Sequence, residues 1–278
     1  MKDYIKLIRV KHYVKNLIIF CPLLFSGQLF NRDYFLTCLL GTFAFCMVSS
    51  IVYIVNDYKD VEKDRQHPTK KNRPLASGAV SARGALFTLV GMAIAAIIGL
   101  ALLGSTTGAV WIGVYFLANM AYSFGLKNVP IIDVVILASG FVIRVVFGGV
   151  ITGIEISQWL YLVVVTGSLY MGLGKRRNEL KHLTETRGVL KHYNISFLDK
   201  NMYVCLACAD VFYALWTIES GNPGLVWTVP LFIVLLMSYS LDAEGDSDGD
   251  PVEVILHNRL LLGLAMLFLI LVFVIIYS

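Results

Sequence analysis

Asn56, Asp57, Asp60 and Asp64 open the stretch 56–64, directly after an apolar run. On a helix, Asn56, Asp60 and Asp64 fall at i, i+4 and i+8 and share one face, with Asp57 alongside. Carboxylates so crowded repel one another unless a cation lies between them. Hard oxygen donors with room for water suit Mg²⁺, which usually completes its shell with substrate phosphates. The spacing therefore predicts that Asn56, Asp57, Asp60 and Asp64 hold Mg²⁺ and that the three aspartates serve catalysis. A solvated acidic helix face is the plainer account, but such faces seldom begin at the mouth of a membrane span.

Anion-binding groups surround this cluster. Arg65, His67, Lys70, Lys71 and Arg73 follow it, and Pro74 and Gly78 make the stretch an ordered turn. Tyr53 lies one turn before Asn56, where its hydroxyl would reach a phosphate oxygen or its ring would anchor the span end. A second polar node contains Tyr122, Ser123 and Lys127, then Pro130 and Asp133. Pro130 fixes a helix start, and Asp133 in its first turn is either a dipole-stabilised cap or a site residue. Arg144, about three turns further on, shares the face of Asp133. An arginine that deep in a span must be paired or must line a wet cavity. Asp210 is its expected structural partner, and a substrate phosphate the functional one. A third node, Lys175 and Arg176 with Arg177, reads as phosphate contacts or as ordinary stop-transfer charge. Lys15 and Asn16 complete the inner rim.

These residues need helices to hold them. With 57% hydrophobic and 15% charged residues and a mean hydropathy of +0.72, the chain is no ordinary soluble domain. Apolar runs near bilayer length recur at about 16–30, 33–55, 84–103, 108–126, 131–152, 157–174, 201–219, 224–241 and 259–277. The expectation is an all-α, polytopic bundle of nine spans forming one domain over 1–278. Of the 23 Lys and Arg residues, all but Arg32, Arg144 and Arg259 fall in segments that lie inside if the N-terminus is inside. All three nodes then share one cytoplasm-facing mouth. The net charge of +4 describes one membrane face, which argues against a nucleic-acid partner. The basic, then apolar N-terminus lacks a small-residue cleavage site and reads as a retained helix. Cys21, Cys38, Cys46, Cys205 and Cys208 all lie in apolar runs and read as buried hydrophobes. The acidic stretch 242–250 reads as a solvated loop, since it lacks calcium-loop spacing.

The motif N-D-x-x-D-x-x-x-D at 56–64 after the second span, with nine helices and a cytoplasmic mouth, resembles the UbiA superfamily of intramembrane prenyltransferases. Further matching residues are Tyr13 to Asn16, Arg65, His67 to Lys70, Arg73-Pro74, Tyr122-Ser123, Leu126-Lys127, Ser139 to Phe141 with Arg144, Gly174 to Arg176 and Gly249 to Glu253. The superfamily's aromatic prenyltransferases carry a second acidic motif, D-x-x-x-D. Here Leu137 stands where its second aspartate would be, which makes a second metal less expected. That reduced motif is similar to the branch that transfers phosphoribosyl groups to polyprenyl phosphates. The resemblance implies phosphoribosyl pyrophosphate and a polyprenyl phosphate as substrates, Mg²⁺ as cofactor, and a bacterial-type inner membrane. It implies Lys70, Lys127 and Lys175 as contacts of the pyrophosphate and 5-phosphate. An aromatic prenyltransferase and a transporter of a phosphorylated solute are the competing readings, and a homo-oligomer is compatible with any of them.

Overall fold

A computed structural model of the chain describes residues 2–182, 188–243, 254 and 258–278. The described residues are all helix and connection, with no strand. Part of the acidic loop 242–250, and 249–253 of the resemblance, lie outside them. The helices are α1 (Lys2–Ile8), α2 (Cys21–Phe25), α3 (Arg32–Lys59), α4 (Val61–Gln66), α5 (Ala82–Leu103) and α6 (Thr106–Phe124). They continue with α7 (Ile132–Thr152), α8 (Gln158–His182), α9 (Ile195–Glu219), α10 (Val229–Ala243) and α11 (Arg259–Tyr277).

Among the described residues six segments are long and apolar enough to cross a bilayer: α3, α5, α7, α9, α11 and Pro223–Ala243, which includes α10. The runs expected at 108–126 and 157–174 are helical, as α6 and α8. Thr106, Thr107, Asn119 and Ser123 dilute the first, and the charges of 175–181 extend the second into polar sequence. The run expected at 16–30 is not one helix. A 3-10 helix, Val10–Phe20, gives way to the short α2 and then to a turn at Gly27 (φ 74°).

The chain divides into two compact units. The first comprises 1–23, 29–124 and 143–154; the second comprises 24–28, 125–142 and 155–278. Helix α7 contributes to both. In the first unit α3 is the central element and packs on α5 and α6. Asn31 starts α3 by accepting from the backbone N–H groups of Asp33 and Tyr34. Its inward face places Phe45 against Tyr115 and Phe147, with ring centroids 4.5 and 5.5 Å away. Gly148 on α7 faces the 3-10 segment so closely that a Cβ there would lie 2.0 Å from the carbonyl oxygen of Ile19. Only glycine admits that approach.

In the second unit α8 packs along α9, and α10 packs against α9 and α11. Its core sets Tyr213 on Phe232 at 4.2 Å, with Trp216 and Phe268 beside them. The Tyr213 hydroxyl meets Thr228 Oγ1 at 2.6 Å, so the buried phenol keeps a partner. Asn194 and Asn258 cap the starts of α9 and α11.

Candidate active site

Helix α3 does not run through the acidic stretch. It ends at Lys59, Asp60 takes φ −92° and ψ 8°, and α4 sets off again at Val61. The expected single helical face carrying Asn56, Asp60 and Asp64 is therefore broken at its middle residue. Across the junction the Asp60 N–H still bonds the Asn56 carbonyl at 3.0 Å and the Asp64 N–H the Asp60 carbonyl at 2.8 Å, and Asp64 and Asp57 flank it. Both aspartates are buried, with 4% and 2% exposure. Seven residues, about two helical turns, separate them, and one guanidinium serves both. Arg73 Nη1 donates to Asp57 Oδ1 at 3.0 Å and to Asp64 Oδ2 at 2.7 Å. Arg9 Nη2 reaches the same Asp57 oxygen at 2.5 Å.

Arg9 is a site residue that the sequence reading passed over as one more inner-face charge. It sits between α1 and the 3-10 segment with φ 55° and ψ 50°, a left-handed conformation costing on the order of 1–2 kcal/mol for a residue with a Cβ. Its guanidinium lies 4.7 Å from the centre of the Tyr53 ring, whose other neighbour is the His12 ring. Tyr53 thus places its ring on a cation. Ser50 fastens the same segment to α3, bonding the Tyr13 hydroxyl at 2.8 Å and donating to the Ile8 carbonyl at 2.9 Å.

The neighbouring polar groups are tied to α6. Ser123 Oγ donates to the Asn56 carboxamide oxygen at 3.1 Å. Lys59 donates to the Ser123 carbonyl at 2.8 Å and lies over the Phe124 ring. Asp60 is half-buried at the helix junction, and Lys70 starts the short 3-10 turn Lys70–Asn72. His67 holds that turn by accepting from the backbone N–H groups of Thr69 and Lys70. Lys15 and Tyr122, also of the first unit, are half-buried.

Arg144, also in the first unit, is 5% exposed. The partners seen for it are neutral. Its Nε donates to Asn16 Oδ1 at 2.7 Å and its Nη2 to the Tyr115 hydroxyl at 3.2 Å, between the rings of Phe45 and Tyr115. Asn16 in turn donates to Cys46 Sγ at 3.0 Å. Asp210, the expected structural partner, belongs to the second unit.

In the second unit Asp133 and Arg176, both expected as substrate contacts, are bonded to each other. Arg176 Nε meets Asp133 Oδ2 at 2.5 Å, and neither side chain is exposed at all. Arg176 also donates to Glu179, and the Tyr193 hydroxyl donates to Asp133 Oδ1 at 2.6 Å. That hydroxyl accepts from the Ile131 backbone N–H at 2.6 Å, where Ile131 adopts φ 69°. Burial pushes the Tyr193 phenol up to about 12, and the bond to Asp133 pushes the same way. These bonds tie Asp133, in the first turn of α7, to α8 and to Tyr193. Lys127 and Lys175, in the same unit, are half-buried, and Arg177 is paired with Asp199 at 2.5 Å.

Among the described residues no three His, Cys, Asp or Glu side chains gather as a metal-holding group. The Asp57–Asp64 pair nevertheless fits a small divalent cation. Its oxygens already converge on one guanidinium nitrogen, Arg73 Nη1, and Asn56 and Asp60, neighbours of Asp57 in the chain, carry further hard oxygens. Mg²⁺ needs few protein ligands where substrate phosphates complete the shell.

The sequence profile described as the UbiA prenyltransferase family matches residues 17–259. A decaprenyl-phosphate phosphoribosyltransferase from Corynebacterium glutamicum is 35% identical, over 94% of this chain and 83% of that protein. A protein of the same name from Mycobacterium tuberculosis is 34% identical, over 94% of this chain and 90% of that one. The solved structure of a UbiA homologue from Archaeoglobus fulgidus, bound to GPP and Mg²⁺, superposes with a TM-score of 0.76. It covers 99% of this chain and 100% of its own, and at 17% identity it speaks to the fold alone. With its long apolar helices, this is a multi-pass membrane protein.

Proposed function

Because the chain belongs to the UbiA prenyltransferase family, we propose that it transfers the 5-phosphoribosyl group of phosphoribosyl pyrophosphate to a polyprenyl phosphate, releasing pyrophosphate. The observation that carries this reading is the buried Asp57–Asp64 pair, already converging on a cation and bordered by basic residues. The two phosphoribosyltransferase relatives support the choice of donor and acceptor. Leu137 in place of a second acidic residue weighs against the aromatic-acceptor alternative.

Asn56, Asp57, Asp60 and Asp64 would hold Mg²⁺, which when bound neutralises charge on the departing pyrophosphate. In the first unit Lys70 holds a donor phosphate as a point charge, with Arg73, Lys15, Tyr53 and Tyr122 completing the polar rim there; the family resemblance assigns phosphate contacts to Lys127 and Lys175 of the second unit as well. Arg144, held by Asn16 and Tyr115, presents its charge to the acceptor's phosphate. Asp133 and Arg176 fix the start of α7. An oxygen of the lipid phosphate forms the new bond to ribose C1, and the C1–oxygen bond to pyrophosphate breaks, its electron pair leaving with pyrophosphate. The nucleophile is ionised at neutral pH, so no side chain has to remove a proton. Positioning and electrostatics in a site shielded from water remain the protein's task.

This reading places nine spans in a bacterial-type inner membrane, with a cytoplasmic N-terminus and the site on the cytoplasmic side, following the distribution of Lys and Arg. It is tested by incubating purified protein with Mg²⁺ and phosphoribosyl pyrophosphate, with and without polyprenyl phosphate. Pyrophosphate release that requires the lipid supports it; release in the absence of any lipid acceptor, or none at all, overturns it.

A further inference from the structure

Two guanidiniums occupy the carboxylate pair on which the proposed metal site depends. Asp57 receives Arg9 at 2.5 Å and Arg73 at 3.0 Å, and Asp64 receives Arg73 at 2.7 Å. Both carboxylates are almost fully buried, whereas the side chains of Arg9 and Arg73 are 19% and 25% exposed. Two buried like charges would repel strongly with no cation between them. A cation between them is what lets both stay ionised. The two arginines stand on chain segments that sequence keeps far from α3: Arg9 precedes Asp57 by 48 residues, and Arg73 follows it by 16. Arg9 reaches its place through a left-handed backbone that L-residues avoid. Its guanidinium carbon lies over the Tyr53 ring at 4.7 Å while Nη2 reaches the carboxylate.

We propose that Arg9 and Arg73 are the resident counter-ions of Asp57 and Asp64 in the metal-free protein, and that metal loading exchanges them off the carboxylates. The exposed sides of both arginines give them room to turn away. A guanidinium released beside a metal-bound diphosphate is matched to it, since its planar fork accepts phosphate oxygens in pairs. The same two residues then keep the carboxylate pair compact before loading and meet the phosphates after it. Arg9 thereby joins the site in two roles, holding the carboxylates before loading and contacting phosphate after it. The inference rests on the metal-assisted reading above, but not on the identity of donor or acceptor.

Its test uses Mn²⁺ as the probe, titrated by electron paramagnetic resonance into the substrate-free, detergent-purified protein. Removing a competing counter-ion should tighten Mn²⁺ binding. Arg9→Gln and Arg73→Gln are each expected to bind Mn²⁺ about tenfold more tightly than wild type, equivalent to about 1.4 kcal/mol. Arg9→Lys, which keeps the charge, should stay near wild type, and Asp57→Asn should bind more weakly than wild type. Thermal unfolding supplies the second readout. Arg9→Gln should melt below wild type without metal, and saturating Mn²⁺ should close most of that gap. Unchanged or weaker Mn²⁺ binding in both glutamine variants overturns the proposal, as does a melting deficit that Mn²⁺ leaves untouched. Because no phosphoribosyl donor or lipid is present, failure here is distinct from failure of the pyrophosphate-release assay.

Discussion

Asp60 occupies the hinge between α3 and α4, half-buried and away from the hydrophobic core. Asp60→Ala should leave the protein folded in the membrane while turnover falls about 100-fold or more, the scale seen when a preorganised electrostatic contact is lost. Wild-type turnover across a range of Mg²⁺ concentrations would remove Asp60 from the metal set. Arg144 makes a different kind of prediction, because the partners seen for it, Asn16 and Tyr115, are neutral and buried. Arg144→Ala strands Asn16 Oδ1, and a buried acceptor left without a donor costs about 1–3 kcal/mol. A double-mutant cycle with Asn16→Ala should therefore show a coupling of about 1 kcal/mol or more in thermal unfolding. Additive losses would mean that the Asn16–Arg144 contact carries no stability. A stable Arg144→Lys variant that has lost lipid use would separate the acceptor-phosphate role from the packing role.

At the scale of elements, close approaches decide what can be substituted. A Cβ at Gly148 would sit 2.0 Å from the Ile19 backbone, whereas one at Gly113 in α6 meets nothing within 4 Å. Gly148→Ala should force α7 off the 3-10 segment that carries Asn16 and lower the melting temperature. Gly113→Ala should leave it unchanged or raise it, since alanine is favoured over glycine in a helix by about 0.5–1 kcal/mol. Equal behaviour of the two variants would contradict the packing described. The connection into α7 predicts a pH dependence. The Tyr193 phenol is raised from 10.0 to about 12 by burial and its bond to Asp133. A raised pKa means that the fold favours the neutral phenol. Its stabilisation is complete below pH 10 and is lost as pH rises toward 12. Melting curves of Tyr193→Phe should lack that alkaline decline while wild type shows it.

Over the whole molecule, composition and apolar runs were enough to read an all-helical membrane protein, and the spacing of Asn56, Asp57, Asp60 and Asp64 was enough to single out a stretch in which Asp57 and Asp64 are buried and share one guanidinium. The remainder was hidden for physical reasons. The 3.6-residue period continues through 56–64, so nothing in the pattern marks the break at Asp60. Arg9 lies 48 residues from Asp57, Tyr193 60 from Asp133, and Asn16 128 from Arg144. Partners so distant are chosen by packing, which one sequence does not display. Asp133 and Arg176 looked like phosphate contacts because an aspartate at a helix start and a basic trio at a span end have many uses. That Arg176 is buried and pairs with both Asp133 and Glu179 is visible only in the fold.

The central claim is that this chain moves phosphoribosyl, and that it does so at the Asp57–Asp64 centre. The direct measurement incubates ribose-labelled phosphoribosyl pyrophosphate, Mg²⁺ and polyprenyl phosphate with wild type and with Asp57→Asn, then counts label in the extracted lipid. A parallel arm supplies a prenyl diphosphate with 4-hydroxybenzoate. Label in the lipid with wild type, its loss in Asp57→Asn, and no prenylated aromatic product are what the account predicts. An unlabelled lipid beside a prenylated aromatic product would contradict it, as would full labelling by Asp57→Asn.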